Sequence, residues 1–385
     1  MIDSPRIFFG KFMFARTAHH AVRDLFALAD VRINGERPWD IQVHNPALFQ
    51  RVLAGGSLAL GESYMDGWWD CEALDQFFYR ILKAELDKKV RGMKHVLWNM
   101  MIAAFMNPQK KSRAYEIGKH HYNLGNELYR NMLDARMVYS CGYWDTAENL
   151  DQAQEAKLDL ICRKIGLKPG QRVLDIGCGW GSLARCAAEQ YQAEVVGITV
   201  SGEQAALGRD LCAGLPVDIR LQDYRDLDEE FDHIVSVGMF EHVGYSNYRT
   251  FMETVHRCLK PEGRFLLHTI GENISVTSTD PWILKYIFPN SMIPSAAQIT
   301  AAAEGLFVLS DWHSFGTHYD RTLMSWHENF MKNWDRIKER YDTRFYRMWT
   351  YYLSCCAGSF RANKNQLWQI VFTPIEAAGD YRSIR

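Results

Sequence analysis

Strand-length apolar runs alternate with helix-length amphipathic segments over the later two thirds of the chain. Strands are predicted at Arg172–Ile176, Glu194–Val200, Asp218–Gln222, His233–Met239 and Arg264–Ile270. The helix before the first of them carries Leu158, Ile161 and Ile165 at near-helical spacing and stops at Leu167-Lys168-Pro169-Gly170. Such alternation predicts an α/β fold built on a doubly wound, mostly parallel sheet, with helices on both faces and ligands at the carboxyl ends of the strands. Two later runs, Phe307–Trp312 and Leu367–Thr373, are expected to complete the sheet as an antiparallel pair. Segments rich in Trp, Tyr and Met, at about 275–300 and 317–362, read as helical insertions. They are either plain core or a cover over an apolar substrate tunnel.

The first 105 residues have a different character. They are mostly helical in pattern, with turn signals at Asn34-Gly35, Gly55-Gly56-Ser57, Gly61 and Asp66-Gly67, which predicts a smaller, mainly helical N-terminal domain over 1–105. Asn107-Pro108 and the charge cluster Lys110, Lys111 and Arg113 then break the pattern, so 106–117 reads as a linker and 118–385 as the catalytic domain. A chain of 385 residues, 47% of them hydrophobic, has ample material for two packed domains. Its net charge of −2 offers nucleic acid no global attraction.

Nine cysteines without a CxxC pair point to a reducing compartment, hence to the cytoplasm. The N-terminus around Phe8, Phe9 and Phe12 lacks the apolar core and cleavage site of a secretory leader. Charge is concentrated locally, because Arg80 to Arg113 holds nine basic residues against two acidic ones, a net of +7. Val96, Leu97, Trp98, Ile102 and Phe105 are interleaved with it, so the stretch is either an interfacial anchor for anionic lipid or an ordinary solvated face. Its apolar run, Val96 to Met106, is too short to span a bilayer.

Chemistry is densest at Val173-Leu174-Asp175-Ile176-Gly177-Cys178-Gly179-Trp180-Gly181, an apolar strand running through a glycine turn into a helix. Gly177, Gly179 and Gly181 let the backbone approach a ligand closely, and Asp175 places a carboxylate at the strand's end. The spacing is GxGxG behind an Asp, not the GxGxxG of dinucleotide sites, and no GxxxxGK[ST] phosphate loop occurs. That argues for S-adenosylmethionine over NAD or ATP. After the second strand, Thr199 and Gln204 stand where an acid commonly serves the ribose hydroxyls. Ser201 and Gln204 also match an S-x-x-Q capping box, so Gln204 is either a contact or a cap. After the third strand, Asp223 offers a carboxylate to an adenine amino group and Tyr224 a ring beside it. Turn formation is the alternative for Asp223.

Five more residues stand where such a sheet gathers chemistry: Cys141 in YSCGYW, Glu241 in GMFEH, His268 and Ile270 in LLHTIG, and Tyr319 in HYD. A zinc site from Cys141, His242 and His268 lacks local ligand spacing, so no metal is expected. These stretches join HYNLGNELY (His121 to Tyr129), VLDIGCGWG, LQDYRDL, IVSVGMFEHVG, FLLHTIG, DPWILKYIFPN, TYYLSCCAGSF and, in the first domain, LGESYMDGWW. With them the chain, from about residue 30 to 375, closely resembles the cyclopropane-fatty-acyl-phospholipid synthase family. Departures are small: Gly142 stands where relatives often carry Ala, and His120 where an acid is common.

The resemblance implies a class I methyltransferase-type fold. It implies transfer of a methylene from S-adenosylmethionine across the cis double bond of unsaturated phospholipid acyl chains. Cys141, Glu241, His268, Tyr319 and the Ile270 amide would hold a bicarbonate ion as general base. Tyr139, Ser140, Gly177, Thr199, Gln204, Asp223 and Tyr224 would contact the cofactor. It further implies a homodimer, bound peripherally at the inner face of the cell membrane. The alternatives are a related fatty-acyl methyltransferase giving a branched or methylene product, and a lipid-binding relative without catalysis.

Overall fold

The computed structural model describes residues 18–86, 125–377 and 379–385. The expected linker, the basic stretch from residue 87 onward and the start of the HYN motif lie outside the described residues. Residues 18–27 are helical. A short ribbon of β1 (Gln42–Val43) and β2 (Trp69–Asp70) then brackets helix α1 (Leu48–Met65), and α2 (Leu74–Lys83) follows. Helices α3 (Asn126–Met132) and α4 (Leu150–Ile165) lead into the sheet, which begins with β3 (Arg172–Ile176), α5 (Ser182–Tyr191) and β4 (Glu194–Thr199). It continues through α6 (Gly202–Leu211), β5 (Val217–Leu221), β6 (Phe231–Val237), α7 (Tyr248–Cys258) and β7 (Leu259–Glu272). The remaining elements are α8 (Pro281–Tyr286), α9 (Ala296–Ala303), β8 (Phe307–Ser314), α10 (Thr317–Ile337), α11 (Thr343–Arg361) and β9 (Asn365–Pro374).

The seven strands run in the order β5-β4-β3-β6-β7-β9-β8. The first five are parallel, and β9 is antiparallel to both its neighbours. This mostly parallel sheet flanked by helices is the class I methyltransferase fold. Every predicted strand is present. β7 starts earlier than the pattern predicts, because Leu259 already pairs with Phe231 before a register shift to His233 and Arg264. Strand order reverses between β3 and β6, which opens a crevice above their carboxyl ends.

Local chemistry sets the boundaries. The Asn149 side chain accepts from the Gln152 N–H and caps α4, which ends on Gly166 in a left-handed conformation. Along β3, successive side chains enter opposite cores: Val173 packs with Ile161 of α4, Leu174 and Ile176 with Phe251 and Val255 of α7.

The described N-terminal residues share a further core with α8, α10 and α11. There the Tyr351 ring lies 4.8 Å from Phe78, 5.5 Å from Tyr64 and 4.4 Å from Trp282, centroid to centroid. Arg361 ties the same elements together, meeting Asp75 at 2.6 Å and both carboxylate oxygens of Asp320 at 2.8 Å. At the start of the basic stretch, Arg80 is paired with Asp30 and Lys83 donates to the Tyr79 hydroxyl. No described helix is long and apolar enough to cross a membrane.

Candidate active site

A cavity opens above the carboxyl ends of β3, β4 and β6, where the strand order reverses. The glycine turn forms its floor. Gly177 has φ +86, and a Cβ there would meet the Met239 Cβ at 2.5 Å. Gly179 has φ +57, and no atom lies within 4 Å of an added Cβ, so its backbone faces the cavity directly. Asp175, Thr199, Gln204, Asp223, Tyr224, Tyr139 and Ser140 also line it. Gly181 stands behind the floor instead, capping α5 where an added Cβ would meet the Cys212 sulfur at 2.9 Å.

Two residues with a double reading in the sequence both line the cavity, but only Asp223 also fills its turn role with its side chain. Ser201 accepts from the Gln204 N–H, as a capping box requires. Its own N–H, however, goes to Thr199 Oγ1, and the Gln204 side chain accepts from the Thr199 hydroxyl at 2.9 Å while lining the cavity. Asp223 caps the following turn by accepting from the Arg225 N–H, and it is clamped by the Arg225 guanidinium at 2.8 and 2.6 Å. Its carboxylate therefore reaches the cavity wall already fixed in direction.

Beneath Ser140 lies a buried ammonium. Lys157 Nζ donates to Ser140 Oγ at 2.8 Å, and Gln154 Nε2 donates to the Ser140 carbonyl at 2.8 Å. Burial lowers the Lys157 pKa to about 8. Burial also raises that of Asp175 to about 7, against the pull of Lys157. Along with His242 and Arg225, which also line the cavity, Lys157 is missing from the sequence-derived set. Its one signal is a lysine sharing the helical face of Ile161 and Ile165, where core is expected.

Next to the cavity sits a second, drier cluster. Glu241 lies in the turn after β6, and its Oε1 accepts from the Ile270 N–H at 2.7 Å. Its Oε2 is buried without a partner, and burial raises the carboxyl's pKa. His268 pairs across the sheet with Gln369 of β9, whose Nε2 lies 3.2 Å from the His268 Nδ1. An amide nitrogen only donates, so Nδ1 accepts and the imidazole proton sits on Nε2, which is buried without a partner. Burial holds the pKa of His268 well below its ordinary value, and the positive charges of Lys157 and Lys164 add to that. The ring is therefore neutral.

Cys141 is fully buried, its thiol donating to the Gly142 carbonyl at 3.2 Å and meeting the Thr322 hydroxyl at 3.9 Å, and burial pushes its pKa up. Tyr319 lies one turn before Thr322 on α10, with its ring 4.6 Å from Phe360 and 6.0 Å from Trp326. An aromatic wall joins it to the cofactor cavity. Tyr139 lies 5.1 Å from Trp326 and its hydroxyl 2.9 Å from that of Tyr352, while Phe288 bridges Tyr352 and His242 at 5.7 and 5.9 Å. The aromatic insertions thus pack as core, with Trp282, Trp326, Phe330, Trp349 and Tyr352 all buried.

Buried polar atoms without partners need a reason, and Glu241 Oε2 and His268 Nε2 are two of them. The neutral His268 N–H is a donor suited to a small anion, and the burial that raises the Glu241 pKa eases its approach to one.

The mycolic acid cyclopropane synthetase family profile matches residues 109–370. The chain belongs to that family. Over 355 residues it is 54% identical to the cyclopropane-fatty-acyl-phospholipid synthase of Escherichia coli strain K12, covering 92% of this chain and 93% of the relative. Over 276 residues it is 38% identical to a probable fatty acid methyltransferase of Pseudomonas putida, covering 68% and 70%. The crystal structure of mycolic acid cyclopropane synthase CmaA1 with SAH and CTAB aligns with a TM-score of 0.63 at 32% identity, covering 67% of this chain and 97% of that one. In this member of the cyclopropane synthetase family, the matched region takes in the glycine turn, Glu241, His268 and Tyr319.

Proposed function

We propose that the chain transfers a methylene from S-adenosylmethionine across the cis double bond of unsaturated phospholipid acyl chains, forming a cyclopropane ring with bicarbonate as general base. Membership of the family makes it a methyltransferase. The observation that carries the bicarbonate part is the pair of buried, unpartnered atoms Glu241 Oε2 and His268 Nε2 beside the glycine-turn cavity. The SAH held by CmaA1 supports S-adenosylmethionine as the methyl donor substrate.

A cis alkene is a poor nucleophile, so acceleration depends on holding it against the donor's methyl in a dry, oriented site. Tyr139, Trp326, Tyr319 and Phe288 exclude water, which would otherwise capture the positive charge developing on the acyl chain and give an alcohol. Their ring faces also stabilise that charge. A proton must leave the new methyl group before the ring closes. Bicarbonate, when bound, supplies the acceptor for that proton. The chain's part is to hold it, with His268 donating from Nε2, Tyr319 from its hydroxyl and Cys141 from its thiol once that turns from the Gly142 carbonyl. Glu241 meets it through Oε2, whereas the Ile270 N–H, expected to hold the ion directly, is taken by Glu241 Oε1 and orients that carboxyl instead.

The same reading puts the protein at the inner face of the cell membrane, bound peripherally through the +7 stretch of Arg80 to Arg113. Reversing the charges of Lys88, Lys89 and Arg91 is expected to reduce flotation with anionic vesicles at low salt, at roughly 1 kcal/mol per residue, and to leave cofactor affinity intact. A homodimer belongs to this reading through the resemblance alone, and sedimentation tests it.

The deciding experiment incubates the protein with methyl-labelled S-adenosylmethionine and unsaturated phospholipid vesicles. Far-upfield cyclopropane protons in the recovered lipid are the expected result. A branched or methylene product would instead place the chain with the fatty acid methyltransferases, and no label transfer would overturn the catalytic reading.

A further inference from the structure

Lys157 is 1% exposed, yet it lines the cofactor cavity. An ammonium only donates, so Ser140 Oγ gives Lys157 a lone pair and keeps its own hydroxyl hydrogen for another acceptor. With its carbonyl held by Gln154, Ser140 is gripped from α4 at two points and presents that hydrogen from the cavity wall. Asp134 and Asp175 favour the Lys157 ammonium through their charges but form no salt bridge with it: Asp134 accepts the N–H groups of Arg136 and Val138 at 2.9 and 2.8 Å, and Asp175 lines the cavity. Burying an ammonium this way is costly, and a ligand bearing negative charge at this end of the cavity would offset the cost.

We propose that Lys157 is a positioning residue for the cofactor. It polarises Ser140, whose hydroxyl donates to the carboxylate of the cofactor's amino-acid arm, and its charge favours that carboxylate there. This rests on the reading of the cavity as an S-adenosylmethionine site, with adenine at the opposite end, by Asp223 and Tyr224.

The test compares S-adenosylhomocysteine with methylthioadenosine, which lacks the amino-acid arm, by calorimetry on the full chain. Lys157→Met is expected to weaken S-adenosylhomocysteine on the order of 10- to 100-fold, the range for losing a charge-assisted hydrogen bond, and to leave methylthioadenosine unchanged. Ser140→Ala should show the same split, and the double variant should lose little more than either single one. Parallel loss of both ligands, or an unchanged affinity for S-adenosylhomocysteine, overturns the proposal. If Lys157→Met does not fold, Lys157→Gln, which removes the charge but keeps a polar donor beneath Ser140, is titrated with the same two ligands and read by the same split. A wild-type protein that binds neither ligand would overturn the cofactor reading itself, which the wild-type titration alone reveals.

Discussion

His233 and His268 are buried on neighbouring strands of one sheet, and they differ in what surrounds them. At the amino end, His233 accepts from the Arg264 N–H at Nδ1, and its Nε2 lies 3.2 Å from Gln171 Oε1. Asp232 beside it takes the Arg172 N–H at 2.8 Å and Lys260 at 2.7 Å. At the carboxyl end, His268 Nε2, Glu241 Oε2, Gln369 Oε1 and His242 Nδ1 are all buried without partners. Low exposure is common to both ends, so burial does not separate structural from chemical histidines. Hydrogen-bond satisfaction does: His233 and Asp232 are paired within the protein, whereas His268 Nε2 and Glu241 Oε2 are not, which is where the proposed bicarbonate would bind.

Substitutions at the two ends should therefore fail differently. The largest effect is expected from Gly179→Val, where a β-branched side chain is strained at φ +57 and enters the cavity. Calorimetry should show no S-adenosylhomocysteine binding by a protein whose circular dichroism is unchanged. Glu241→Gln comes next. It keeps the shape of the carboxyl and removes the ionisable group, so turnover should fall by about 10²- to 10⁴-fold while cofactor affinity holds.

At the other end, His233→Leu leaves the Arg264 N–H and Gln171 without their partner. It should cost about 1–3 kcal/mol in urea denaturation and spare turnover. The smallest effect is on pH dependence. Burial, with the nearby Arg264 charge, lowers the pKa of His233 from 6.5 to about 4. Between those values the unfolded chain binds a proton that the folded one refuses, so stability falls as pH drops through that window and the loss levels off below about 4. His242 and His313 are also lowered to about 4, so His233→Leu should make the slope shallower without abolishing it.

Much of this was legible in the sequence, for physical reasons. Strands covered on both faces are continuous apolar runs, and β3 ends in glycines because the turn needs φ values other residues resist. What stayed hidden are pairings made only by folding. Nothing local to His268 reveals that Gln369, far along the chain, fixes its tautomer. The Ile270 amide is a backbone group, and its bond to Glu241 depends on how the turn after β6 meets β7. Lys157 looks like a charge misplaced on an apolar helical face until Ser140 is folded over it.

The central claim is that the unpartnered cluster at the carboxyl end is completed by bicarbonate. It is tested most directly by assaying the wild-type protein in buffer purged of carbon dioxide and then titrating bicarbonate back at fixed pH. The expected result is a turnover rate that falls on depletion and returns saturably, with Cys141→Ser needing more bicarbonate for the same recovery. A rate indifferent to thorough depletion would contradict the claim and assign the proton transfer to a side chain of the cluster itself.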